Sequence, residues 1–361
     1  MFVQLPALKR AHQFCETYEL SVPILMAPMA GASPAELAIA VGNAGGMGAC
    51  GALLMDPNAI EKWAQTVRSK TNGAFQINTW IPDPAPERDA ENESQLREFL
   101  EQWGPAVSEQ VADVPLLDFD AQCAAILAAS PRVISSIMGL YPPAFVNRMK
   151  SEGVQWFATV TTVGEALEAE AAGADVVIAQ GMEAGGHRGA FTSEQAELNM
   201  VGLFSLLPAV VDAVRVPVVA TGGIGDARAV AAALTLGASA VQIGTGLLRS
   251  DEANTPSVLA DAFTSTRPED TVATRAFSGR LGRSLKSAYT HAAALSSSPQ
   301  PAPYPVQRAL TAAMRKQAVS TSNLESMQAW AGQSAAFAQA QPAEKIVSDL
   351  WEEAKSMLPE C

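Results

Sequence analysis

The 361-residue chain is 48% hydrophobic and 17% charged, so a large core is within reach, and its length suits one α/β barrel with an excursion. A formal net charge of −13 argues against nucleic acid and anionic membrane as partners, so any phosphate bound here is held by local amides rather than by a global field. Cys15, Cys50, Cys123 and Cys361 are scattered without a CxxC pair, and no signal peptide or run of about 18 apolar residues is present, which leads us to expect a cytoplasmic protein with no membrane association. The sequence points to no particular oligomeric state.

Short aliphatic runs recur along the chain, each followed by a Gly, Pro or Ser/Thr break and then by a helical pattern. They fall at 23–29, 46–50, 73–78, 132–138, 155–160, 175–180, 216–221 and 240–244. Eight nearly all-apolar strands with helices between them predict a parallel (β/α)8 TIM barrel; a doubly wound open sheet is the alternative. In "SPAELAIAVGNAG", Ser33 is expected to cap a helix with Pro34 at its first position. "TVGEALEAEAAGA" and "GDARAVAAALTLGA" repeat that design and end in Gly-Ala.

Two segments break the rhythm. An acidic insert covers 83–113, after the third strand. A mostly helical excursion, expected on the substrate side, covers 248–323, after the eighth strand. The amphipathic "AEKIVSDLWEEAKSML" then supplies the helix that the eighth unit lacks. The predicted division is therefore a barrel over 1–247, the excursion over 248–323, and 324–361 returning to the barrel.

In such a barrel the chemistry sits at the C-terminal ends of the strands, and phosphate is commonly bound by the loops after strands seven and eight. Those loops are "ATGGIGD" (220–226) and "IGTGLL" (243–248), where Gly222, Gly223 and Gly244 let backbone N–H groups approach an anion, Thr245 adds a hydroxyl, and Asp226 can cap the next helix. No acidic metal cluster is evident, and strands five to eight end without a Schiff-base lysine, which points to a bound organic cofactor and no metal. Asn78 and Gln180, closing strands three and six, present the donor and acceptor pair that suits the pyrimidine edge of a flavin.

The loop "QGMEAGGHRG" (180–189) holds His187, the one histidine besides His12 and His291, and the only one on a predicted active-face loop. Arg188 reads as a solvent or helix partner first and a substrate ligand second; Glu183 could orient the loop.

"PILMAPMAG", "VGNAGGMGACG", "FQIN", "FATVTTVGEALEAEAAGADVVIAQGMEAGGHRG", "VPVVATGGIGDARAVAAALTLGASAVQIGT" and "TRAFSGR" together resemble the FMN-dependent nitronate monooxygenases, formerly called 2-nitropropane dioxygenases. The resemblance implies bound FMN, with Ala27, Pro28 and Met29 against the ring and further contacts from Asn78, Gln180, Gly185, Gly186, Gly222, Gly223 and the run Gln242, Ile243, Gly244 and Thr245. It matches His187 to the family's active-site histidine, and implies oxidation of an alkyl nitronate, or of the parent nitroalkane, by O2 to a carbonyl compound and nitrite. His187 could take the α-proton of a nitroalkane or hold the nitronate oxygens; its glycine-rich surroundings favour the second role. The acidic insert and the linker "SSSPQPAPYP" depart from the family pattern. Two rivals share the loops: an FMN-dependent enoyl-acyl-carrier-protein reductase using NADH, and a flavin-binding protein without turnover.

Overall fold

The structure is a computed structural model that describes residues 6–113 and 117–359; Cys361 lies outside them. All eight predicted runs carry a strand: β1 (Ile24–Met26), β2 (Gly48–Gly51), β3 (Phe75–Trp80), β4 (Val133–Ile137), β5 (Gln155–Val160), β6 (Val176–Gln180), β8 (Val218–Thr221) and β9 (Ala240–Ile243). They pair in parallel in the order β1-β9-β8-β6-β5-β4-β3-β2. A bridge between Leu25 and Met47 joins the two ends, the Met26 N–H donating to the Met47 carbonyl (2.9 Å) and the Met47 N–H to the Ile24 carbonyl (3.2 Å). The sheet therefore closes into a (β/α)8 barrel and is not an open doubly wound sheet.

Strand residues alternate between two environments, because successive side chains leave a strand on opposite faces. Ile24, Ile77, Ala158, Val177, Ala220, Val241 and Ile243 face outward into the layer shared with the helices. Leu25, Val133, Phe157, Val176, Val219 and Ala240 fill the lower barrel together with Phe14 and Tyr18. These last two come from the helix Ala7–Tyr18, which the sequence reading did not place; Tyr18 meets Phe157 edge-on at 5.0 Å and plugs the N-terminal end. Higher up the inward positions turn polar: Gln76, Asn78, Ser135, Thr159, Gln180, Thr221 and Gln242. Alternation thus gives the barrel an apolar base and a polar mouth.

The helices after strands five and seven form as expected. Thr162 and Asp226 cap Val163–Ala171 and Ala227–Thr235, accepting the N–H groups of Glu165 (3.1 Å) and Ala229 (2.9 Å). Ser33 does not cap Ala35–Asn43. Its hydroxyl donates to the Met29 carbonyl (2.7 Å) and accepts the Met29 N–H (3.3 Å), so it staples the loop after β1.

The excursion contains helices, as expected, beginning with Ser257–Phe263, but it also carries an antiparallel ribbon, β10 (Thr271–Thr274) and β11 (Gly282–Leu285). The ribbon pairs with β7, the two residues Gly186 and His187. The acidic insert is not a free solvated face. Its Leu96, Leu100 and Ala112 join Phe277, Tyr289, Leu310 and Met314 of the excursion in a second core beside the mouth. The helix Ala343–Met357 packs against Ala35–Asn43 and Ala227–Thr235, where an eighth barrel helix belongs.

Candidate active site

A cavity of about 760 Å³ opens at the C-terminal ends of the strands, within the range of roughly 300–1,000 Å³ common for ligand pockets. The structure brings Ala27, Pro28, Met29, Asn78, Gln180, Gly185, Gly186, His187, Gly222, Gly223, Gln242, Gly244 and Thr245 to its wall. Ile243 is the exception among the expected residues. It follows Gln242 by one position on β9, so its side chain points into the outer core.

One side of the cavity is backbone. Gly222 and Gly223 adopt φ of +112° and +71°, the left-handed region that an L side chain rarely enters. The N–H groups of Gly223, Ile224, Gly244 and Thr245 donate no hydrogen bond within the described residues, although all four residues line the cavity. Thr245 Oγ1 accepts the Gly332 N–H (3.0 Å), which leaves the hydroxyl proton for a ligand. Gly185 has no room for a Cβ, which would lie 2.4 Å from the Gly332 nitrogen, so the segment around 332 closes directly on the histidine loop.

The polar floor is pre-positioned. Asn78 Nδ2 donates to Ser135 Oγ (3.1 Å), and Gln76 Nε2 donates to Gln242 Oε1 (3.2 Å), which fixes the Gln242 amide beneath the cavity. Gln180 is committed differently from the flavin-edge expectation. Its Nε2 donates to the His187 carbonyl (3.0 Å) and its Oε1 accepts the Gly189 N–H (2.8 Å), so the amide holds the histidine loop, with one N–H left over. Arg188 is neither solvent-facing nor a substrate ligand. It is buried and donates to the carbonyls of Gln180, Thr161 and Asn199, outside the cavity wall. Glu183 does orient its surroundings: both carboxylate oxygens accept the Leu203 N–H (2.9 and 3.0 Å) at the start of the helix Leu203–Ala213.

His187 sits between two indoles, its ring centre 4.6 Å from that of Trp80 and 4.9 Å from that of Trp330, both edge-on. The antiparallel ribbon fixes its backbone, with Gly282 opposite His187. Its Nε2 lies 2.8 Å from Ser278 Oγ, which donates to the Arg280 carbonyl (3.2 Å). A hydroxyl has one hydrogen, so the network assigns the imidazole proton to Nε2 and leaves Nδ1 as a lone pair with no protein partner. Burial, aided by the charges of Arg280, Arg308 and Arg315, lowers its pKa to about 3, so the ring is neutral. Arg280, itself buried, is bound through Nε and Nη2 to both oxygens of Asp83, the first residue of the acidic insert.

Sequence reasoning missed Trp80, Ser135, Thr159, Thr221, Ser278, Arg308 and Trp330, all of which line the cavity or touch His187. Two-residue alternation from Asn78 would have reached Trp80, whereas Ser135, Thr159 and Thr221 stand on neighbouring strands and come to the mouth through the sheet register. Ser278 lay inside the quoted "TRAFSGR" without a role, and Arg308 and Trp330 carried no local signal.

A barrel with unpaired amides on one cavity wall and a caged neutral imidazole on another has the build of a small-molecule enzyme. A family model described as nitronate monooxygenase matches residues 13–353. A Staphylococcus aureus (strain MSSA476) protein named probable nitronate monooxygenase is 33% identical over 342 residues, covering 94% of this chain and 96% of the relative. Among solved structures, a nitroalkane oxidase from Streptomyces ansochromogenes superposes with a TM-score of 0.84 at 35% identity, covering 93% of this chain and 96% of the other. FabK from Thermotoga maritima superposes with a TM-score of 0.74 at 28% identity, covering 96% of each. The chain belongs to the nitronate monooxygenase family, a family of flavin-dependent oxidoreductases. No helix among the described residues is long and apolar enough to cross a membrane.

Proposed function

We propose that the cavity binds FMN and that the enzyme oxidises alkyl nitronates with O2 to a carbonyl compound and nitrite. The observation that carries this reading is the set of four unpartnered N–H groups, at Gly223, Ile224, Gly244 and Thr245, lining the same cavity as His187. They fit a terminal phosphate, while Ala27, Pro28 and Met29 offer a surface for a ring and Asn78 and Gln242 offer amides for its edge. FMN, when bound, supplies the electron transfer between nitronate and oxygen.

The protein's part is to hold, orient and exclude water. His187 Nδ1, a lone pair in a neutral ring, supports a proton-accepting role towards the α-carbon of a nitroalkane rather than the anion-holding role that the glycine-rich loop suggested. The preformed nitronate needs no deprotonation, which favours it as the substrate. Ser278 acts through His187 as a positioning residue, and Gln180 does the same through the loop backbone. In this reading 1–247 supplies the proposed cofactor wall and His187, 248–323 adds Ser278 and Arg308 to the substrate side, and 324–361 contributes Trp330 and Gly332 before its last helix returns to the barrel. Cys15, Cys50 and Cys123 are free and buried, and burial pushes each thiol up to about 12, which suits a cytoplasmic protein with no redox role for them.

Heat release and chromatography of the flavin, followed by oxygen uptake with a nitronate, test the reading. FMN and nitronate-dependent uptake are expected. FAD, no flavin after reconstitution, or NADH oxidation with an enoyl thioester in place of nitronate turnover would overturn it.

A further inference from the structure

A nitronate is an anion, and a neutral imidazole presenting a lone pair offers it no counter-charge. The complement has to come from another group on the wall. Among the described residues, only Glu183 and Arg308 line the cavity with ionisable side chains of fixed charge. Glu183 is engaged by the Leu203 N–H. Arg308 stands on the short helix Val306–Leu310 and is half-buried, yet its guanidinium makes no hydrogen bond or ion pair with any described residue.

Its neighbours are different. Arg280 is taken up by Asp83 and the Ala190 carbonyl (2.9 Å). Arg315 donates to Gln328 Oε1 (3.1 Å), Thr311 Oγ1 (3.1 Å) and the backbone carbonyl of Arg308 (2.8 Å), which also fixes the helix that carries Arg308. Of the three guanidinium groups whose charge reaches His187, Arg308 alone has all its donors unspent. A partly desolvated cation without a partner is unfavourable in the free protein unless a ligand completes it. Its planar fork matches two oxygens on one atom, the geometry of a nitronate.

We propose that Arg308 receives the anionic head of the substrate, its guanidinium spanning the two nitronate oxygens beside His187. This rests on the nitronate reading above and divides the labour at that end of the cavity: Arg308 supplies charge and orientation, and His187 supplies a proton acceptor that only the neutral nitroalkane needs. It accounts for a preference for the anion in a protein whose overall charge of −13 would otherwise repel it.

The test uses the FMN-loaded enzyme and the variants Arg308→Met and Arg308→Lys. Initial rates with nitronate and nitroalkane are paired with a titration of the visible flavin spectrum by nitrate, an inert planar oxyanion. Arg308→Met should raise the nitronate KM and the nitrate dissociation constant by about 10- to 100-fold, the loss of one charge-assisted pair, with kcat nearly unchanged. Arg308→Lys should fall between, and kinetics on the neutral nitroalkane should barely move. Unaltered nitronate KM and nitrate binding in Arg308→Met would overturn the assignment. So would loss of FMN from that variant, which would make Arg308 a cofactor ligand. If wild-type enzyme binds nitrate through Arg308 but oxidises no nitronate, the functional reading fails while the oxyanion site stands.

Discussion

The proposed phosphate cradle and the imidazole cage lie on one cavity and are made from opposite materials. The cradle is backbone: a few consecutive residues at 222–224 and 244–245 whose N–H groups point outward because glycine allows the chain to turn there. The cage is side chain: Trp80, Ser278, Arg308 and Trp330 arrive from four distant stretches and meet only in the folded protein. A backbone site tolerates almost any change that keeps the φ angles and almost none that adds a Cβ. A side-chain site can be retuned one residue at a time. Cofactor retention and substrate choice should therefore fail separately, and four experiments set out to break that separation.

His187→Asn carries the largest expected effect. It should keep FMN and lose activity on the neutral nitroalkane by about 10²–10⁴-fold while sparing the nitronate, which has no α-proton to give. Equal loss on both substrate forms would return His187 to the role of anion ligand. Gly223→Val acts at the other end: a Cβ there stands 3.2 Å from Glu183 Cβ at a φ of +71°. Flavin affinity should fall by about 10- to 100-fold, with far-ultraviolet circular dichroism unchanged. Full occupancy in that variant would move the phosphate elsewhere.

Ser278→Ala removes the acceptor of the Nε2 proton and should lower kcat/KM on nitroalkane by about 3- to 10-fold without touching flavin content. A pH profile gives the smallest signal. The pKa of His187 is lowered from 6.5 to about 3, so the ring is already deprotonated above that value, and kcat/KM on nitroalkane should show no inflection from it between pH 5 and 8. The same sign applies to stability. Acidification below 6.5 protonates this histidine in the unfolded chain and not in the folded one, so its contribution falls as pH drops towards 3. An inflection near pH 6.5 that disappears in His187→Asn would show the ring to be better solvated than the cage suggests.

The same contrast decided what could be read from sequence. Strands appeared because parallel barrel strands are buried on both faces and read as unbroken apolar runs, and the glycine loops appeared because paired glycines directly after strands seven and eight stand out in the chain. Ser33 misled because a serine before a proline and a helix looks like a cap, while the Met29 backbone offered it two hydrogen bonds instead. Gln180 has a second task that the sequence did not show. Its amide is at the right height, but the loop it begins turns back within hydrogen-bonding reach. Trp330, Ser278 and Arg308 stayed hidden because their roles depend on where the chain folds back after the barrel, and only tertiary structure fixes that.

The joint between β1 and β2 has a mechanical meaning. Every other neighbouring pair in the barrel shares a run of paired residues, whereas this joint is one bridge, Leu25 to Met47. At its upper end Gly51 lies so close to the chain of Met29 and Ala30 that a Cβ would come within 2.6 Å of the Ala30 nitrogen. Opening of a closed sheet begins where fewest bonds must break, and this slit is that place. The loop 27–29 follows β1 directly above it, so a flavin held as proposed, on that loop and at Gly223, would act as a clasp across the slit. The amides of Met26 and Met47 then become the natural gauge of occupancy, exchanging with deuterated solvent more slowly when the clasp is shut.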